Sequence, residues 1–165
     1  MHHQVVFGVS LLLAACAVAK EEPMTSELLS VTARCRADAT CLFQGHDMFI
    51  DVTISNKGDA EIGFPLAYVQ KTGPIIRLVD RRTGAETYLR TNLAPHELRE
   101  QFSSIPPGES LMLEWVITAY EIRQIGGSHV DVSAEITVAA KVRAGGELVD
   151  FRGADTLHIM DEGSS

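Results

Sequence analysis

The residues best suited to chemistry are six histidines, three cysteines and a run that reads His96-Glu97-Leu98-Arg99-Glu100. A catalytic zinc site of the H-E-x-x-H kind needs two imidazoles one helical turn apart on one face. Here the second ligand position is Glu100, so "HELRE" reads as an exposed polar helix or loop. His46, beside Asp47, reads as a solvated turn, and His129 and His158 as surface residues of strands. No G-x-S-x-G surrounds a serine; "GES" at Gly108–Ser110 follows two prolines and reads as a turn. No P-loop or dinucleotide fingerprint occurs, and Asp47 and Asp51 are spaced along a strand as a solvated face would be. The expectation is a chain with no catalytic residues, no metal and no cofactor.

The cysteines divide by position. "VVFGVSLLLAACAVAK" (residues 5–20) holds an uncharged run from Val5 to Ala15. Eleven residues at about 1.5 Å each reach roughly 16 Å, about half a bilayer core. Small residues close the run, as in a secretory leader. Leu13-Ala14-Ala15-Cys16 resembles a bacterial lipobox, which implies lipidation of Cys16 and a mature chain starting there. The n-region "MHHQ" departs from the pattern in having no Lys or Arg. Ala17 replaces the Asp of the inner-membrane retention signal, so the expected address is the outer membrane, facing the periplasm. In that oxidising compartment Cys35 and Cys41 read as a disulfide, since C-x5-C fits neither zinc nor redox spacing.

Residues 1–15 carry no Asp, Glu, Lys or Arg, so the net charge of −8 belongs entirely to residues 16–165. That balance, with no Lys/Arg cluster, argues against nucleic acid. About 150 residues make one ordinary domain. The expected organisation is a signal peptide over 1–15, a lipidated tether over 16–27, a sandwich over 28–160 and a tail over 161–165.

Positioning falls to strands, because the periodicity is two almost throughout. In "HDMFIDVTISN", Met48, Ile50, Val52 and Ile54 share one face. "PIIRLVD" turns through "DRRTG" into "AETYL". Leu111, Leu113, Trp115 and Ile117 alternate after the turn "IPPGES". Val130 to Ala140 alternate next, and "AGGE" leads into a last pair of strands, "ELVDFRG" and "DTLHI". Helix is confined to short turns, one in "NLAPHELREQF" and one in "TAYEI". Seven to nine short strands with such turns predict an all-β, Ig-like antiparallel β-sandwich.

Three stretches carry a likeness to a known family: "DVTISNKGDAEIGFPLAYV", "IIRLVDRRTGAETYL" and "FSSIPPGESLMLEWVITAYEIRQIGGSHVDVSAEI". They share an I-x-N-x-G strand end (Ile54, Asn56, Gly58), a V-D-x-x-T-G hairpin (Val79, Asp80, Gly84) and an I-x-P-G-E-S turn (Ile105, Pro107, Gly108, Glu109, Ser110). A Y-x-I segment follows (Tyr120, Ile122, then Gly126). Over roughly residues 51–136 the chain resembles the N-terminal pro-domain of deuterolysin-like metallopeptidases, which include the peptidyl-Lys metalloendopeptidases or aspzincins. The H-E-x-x-H of that family's catalytic half finds no match. The resemblance therefore implies a stand-alone relative of a domain that folds onto a protease: an envelope lipoprotein that binds or inhibits a metallopeptidase. The alternative expectation is a structural accessory lipoprotein of an envelope complex. Less favoured is a metal-binding or hydrolytic protein using His46, His96, His129 and His158. Tyr120 also resembles the tyrosine corner of Ig sandwiches, a structural role.

Contact residues are expected in "GFPLAYV", as Phe64, Leu66 and Tyr68, and at His96 and Glu97. The latter pair lies in the longest non-strand insertion, where function concentrates.

Overall fold

A computed structural model describes residues 28–37 and 39–161. The leader, Cys16, the tether and nearly all of the tail lie outside the described residues. Among the described residues, nine strands form two antiparallel sheets that pack as a sandwich, within the expected seven to nine. The first sheet has the order β1-β2-β7, with β1 at Leu29–Cys35, β2 at Met48–Asn56 and β7 at Ser110–Ile117. The second is built on β8 (Asp131–Ala144), which β9 (Glu147–Met160) follows over its whole length. The other edge of β8 is shared by β4 (Ile75–Asp80) and β3 (Ile62–Phe64), with β5 (Glu86–Tyr88) outside β4 and β6 (Ser103–Ile105) outside β3.

The alternating faces meet in one core. Ile50, Val52 and Ile54 of β2 and Leu113 and Ile117 of β7 are buried against Val132, Ala134, Ile136 and Val138 of β8. This is the burial that the period of two demands. Gly145 and Gly146, both at positive φ (59° and 86°), close the β8–β9 hairpin in the handedness that strand twist prefers.

The expected pair of final strands is one 14-residue strand. Gly153 sits inside it because a Cβ there would lie 2.6 Å from Val31 Cγ2 and 2.8 Å from Phe151 Cζ. Without a side chain, β9 lets β1 pack closely. The free edge of β1 is then covered, since the Ala33 N–H donates to the Asp155 carboxylate at 2.7 Å. Cys35 and Cys41 form a disulfide with Cα atoms 5.3 Å apart, tying the end of β1 to its following loop.

Most of the motif residues hold backbone. Asn56 is fully buried; its amide donates to the carbonyls of Ala60 and Ile105 and accepts from the Gly58 N–H, joining two turns. Asp80 accepts from the Arg82 N–H in the β4–β5 hairpin, which holds its carboxyl below the usual range, and Gly84 and Gly108 take positive φ.

Two helices exceed expectation. α1 (Leu66–Thr72) follows Pro65, and α2 (Ala119–Gly126) is two turns long, begun by a capping box between Thr118 and Glu121. Tyr120 lies in the first turn of α2, 70% exposed, and its hydroxyl bonds no backbone among the described residues, so it makes no tyrosine corner. His129 lies in the bend before β8 rather than in a strand. Among the described residues no helix is long and apolar enough to cross a membrane.

Candidate functional site

"GFPLAYV" divides at Pro65. Phe64 ends β3 fully buried, edge-on to Phe151 with ring centroids 6.4 Å apart. That burial corrects its assignment as a contact residue: the ring belongs to the core. Beyond Pro65 the period changes to helical, placing Val69 inward, Leu66 half-buried against the core and Tyr68 half-buried at the surface.

Tyr68 meets the second candidate segment. The stretch after β5 is tied back to α1, since the Asn92 N–H donates to the Thr72 carbonyl at 2.9 Å. It then forms a 3-10 helix over His96–Glu100. Arg99 of that turn stacks on Tyr68, with Cζ 4.8 Å from the ring centroid, and donates from Nη2 to the Tyr68 hydroxyl at 2.8 Å. Cation–π stacking and one hydrogen bond thus fix the guanidinium. The open groove between the two segments has a volume of about 300 Å³. Its walls include Tyr68 and Thr72 of α1, Ile75 of β4, Leu93, Arg99 and Val138 of β8. Leu93 is 95% exposed.

The structure therefore brings together Tyr68 and the loop around His96, which the sequence singled out separately. His96 and Glu97 are exposed on the 3-10 helix without lining the groove; Arg99 and Leu93 line it instead. A lone leucine in the polar stretch "RTNLAP" was the available signal for Leu93. Arg99 had none, because its ring partner is 31 residues away.

Elsewhere the polar groups are matched to one another. On the outer face of the first sheet, Asp51 is only 3% exposed, which corrects its reading as solvated. Arg36 donates to it from Nε and Nη2 at 3.0 and 2.7 Å, and Arg34 from Nη2 at 3.0 Å. The Arg36 hydrogen bonds, then those of Arg34, hold the Asp51 carboxyl below its ordinary range despite burial. Arg36 also reaches Glu114 at 2.7 Å. On the other sheet, Arg77 bridges Glu86 and Glu135. His158 Nε2 lies 2.6 Å from Asp131 and 2.6 Å from Arg81 Nη1, so charged neighbours occupy the ring. Asp47 accepts the Ala119 N–H at the start of α2. Among the described residues no three His, Cys, Asp or Glu gather as metal ligands.

No protein-family model and no curated protein matches the chain. Among solved structures it is similar to Spo0M, a sporulation control protein of Bacillus subtilis, at 14% identity and a TM-score of 0.42, covering 82% of this chain and 49% of that one. It is also similar to a protein described as ApaA from Bordetella pertussis (13%, TM-score 0.37, 81% and 92% covered). A protein from Archaeoglobus fulgidus gives 9% and 0.33, with 79% and 94% covered. Likenesses this loose say nothing about activity.

Proposed function

We propose that the chain is a protein-binding module, held at the bacterial envelope by lipid on Cys16, whose partner enters the groove between α1 and the 3-10 helix. The observation that carries this reading is the groove itself. It is a concave, largely uncharged bed beside a fixed guanidinium and a leucine side chain left in water. Pockets with apolar walls and a few placed polar groups are the usual form of a binding site. A large exposed apolar residue at such a rim is a ready contact.

A metallopeptidase is the partner class the pro-domain resemblance suggests. Asn56, Asp80, Gly84 and Gly108, which carry much of that resemblance, all hold turns here. The binding reading therefore draws on the groove, and the resemblance supplies only the class of partner. It is tested by using the full chain, extracted in detergent, to capture partners from envelope and secreted fractions. Expected is a metallopeptidase whose activity falls with added protein, and whose capture fails with Leu93→Asp. Capture untouched by Leu93→Asp would overturn the groove as the site. Capture of an envelope-complex subunit with protease activity unchanged would transfer the reading to the accessory role.

A further inference from the structure

We infer that the groove is a carboxylate site, built to take the C-terminal end of a peptide with an apolar last residue and to hold its terminal carboxylate on Arg99. The inference rests on the groove being the binding site and names what it binds.

Charge is the first argument. The protein is acidic overall, yet among the described residues no Asp or Glu lines the groove and Arg99 is the one charged residue that does. Glu97 and Glu100 flank Arg99 in sequence, but neither is paired with it. Arg34, Arg36, Arg77, Arg81 and Arg82 each have a carboxylate partner, whereas Arg99, like Arg123 and Arg143, stacks on a ring without one, and of these three Arg99 alone lines the groove. Arg99 has only the Tyr68 ring and hydroxyl among the described residues, which leaves most of its five N–H donors open. An oriented guanidinium is the side chain best matched to a carboxylate, through two parallel hydrogen bonds.

Size is the second. About 300 Å³ is the bottom of the range for ligand sites, enough for a chain end rather than the length of an extended strand. Ile75, Leu93, Ala94 and Ala139, each at least partly exposed, offer apolar contact for a final side chain. Thr72, Thr91 and Asn92 offer polar groups for its backbone.

The test titrates the isotope-labelled full chain with N-acetyl-leucine and, separately, with its uncharged isostere N-acetyl-leucinamide, following backbone amide resonances. N-acetyl-leucine should shift Val69, Gly73, Asn92 and Leu93, and the amide should bind at least about tenfold more weakly, the usual size of a charge-assisted pair. Arg99→Gln should abolish that discrimination, and Arg99→Lys should keep part of it, because a lysine offers a point charge without the fork. N-acetyl-glutamyl-leucinamide, whose only carboxylate is on a side chain, should bind like the neutral compound. Equal binding of acid and amide, or no shift in the groove with either at the solubility limit, would overturn the inference. Binding of the glutamyl compound as well as N-acetyl-leucine would overturn the chain-end assignment. A failed titration with partner capture still sensitive to Leu93→Asp would leave the groove as a protein site. Capture indifferent to Leu93→Asp would remove the protein reading while leaving the titration to stand.

Discussion

Arg36 and Arg99 both lie over an aromatic ring, at 6.0 Å from Phe49 and 4.8 Å from Tyr68, and their surroundings differ in one respect. Arg36 directs its donors to Asp51 and Glu114, inside a row of paired charges across β1, β2 and β7. Arg99 meets no carboxylate among the described residues. The first arrangement fastens three strands to one another; the second leaves a positioned cation beside a groove of apolar and uncharged polar residues. The same residue type is thus tied into the sheet at one place and left without an ionic partner at the other, the difference on which the proposed recognition at the groove rests.

The largest effect should come from removing the core on which both regions rest. Phe64→Ala should cost about 3–5 kcal/mol in urea unfolding, the usual loss for a buried ring. A small loss would return Phe64 to the surface and contradict its place in the core. Next, Asp51→Asn should cost roughly 1–3 kcal/mol, since a buried carboxylate that accepts from two arginines is replaced by a neutral amide. It should leave partner capture unchanged.

The residues behind these effects differ in how far they could be read from the chain. β2, β7 and β8 were legible because their apolar residues alternate without interruption, β4 because a short apolar run sits between turn signals, and the 35–41 disulfide because C-x5-C fits neither zinc nor redox spacing. β1 was not singled out: "LSVTARC" mixes small and polar residues, and its buried edge depends on Gly153 and Asp155 far along the chain. Gly153 itself looked like a break between two strands, because the local rule for a strand glycine cannot reveal a close neighbour. β3 and β6 are three residues each, too short to show a period. For the site, both segments were visible and their meeting was not. Tyr68 and Arg99 are joined by folding alone, and Phe64 misled because a residue before a proline can close a strand as easily as open a loop.

Acid should sharpen the contrast. The Asp51 carboxyl is held below its ordinary value, so its contribution is complete above the unfolded range, near pH 4, and is lost as pH falls through the lower folded value. Unfolding free energies measured downward from pH 5 should therefore fall more steeply for the wild type than for Asp51→Asn. Parallel slopes would mean that the arginines do not hold the carboxylate. The smallest effect belongs to the groove: Arg99→Gln should change stability by less than about 0.5 kcal/mol, as surface substitutions do, with binding altered. A loss comparable to that of Asp51→Asn would make Arg99 a structural residue like Arg36.

The decisive measurement is partner capture by the wild type, Leu93→Asp and Asp51→Asn chains side by side, each first shown to be folded by its unfolding midpoint. Leu93→Asp should lose the partner while keeping the midpoint, and Asp51→Asn should lower the midpoint while keeping the partner. Loss of capture with Asp51→Asn while Leu93→Asp still binds would put recognition on the sheet face and contradict the assignment of the groove.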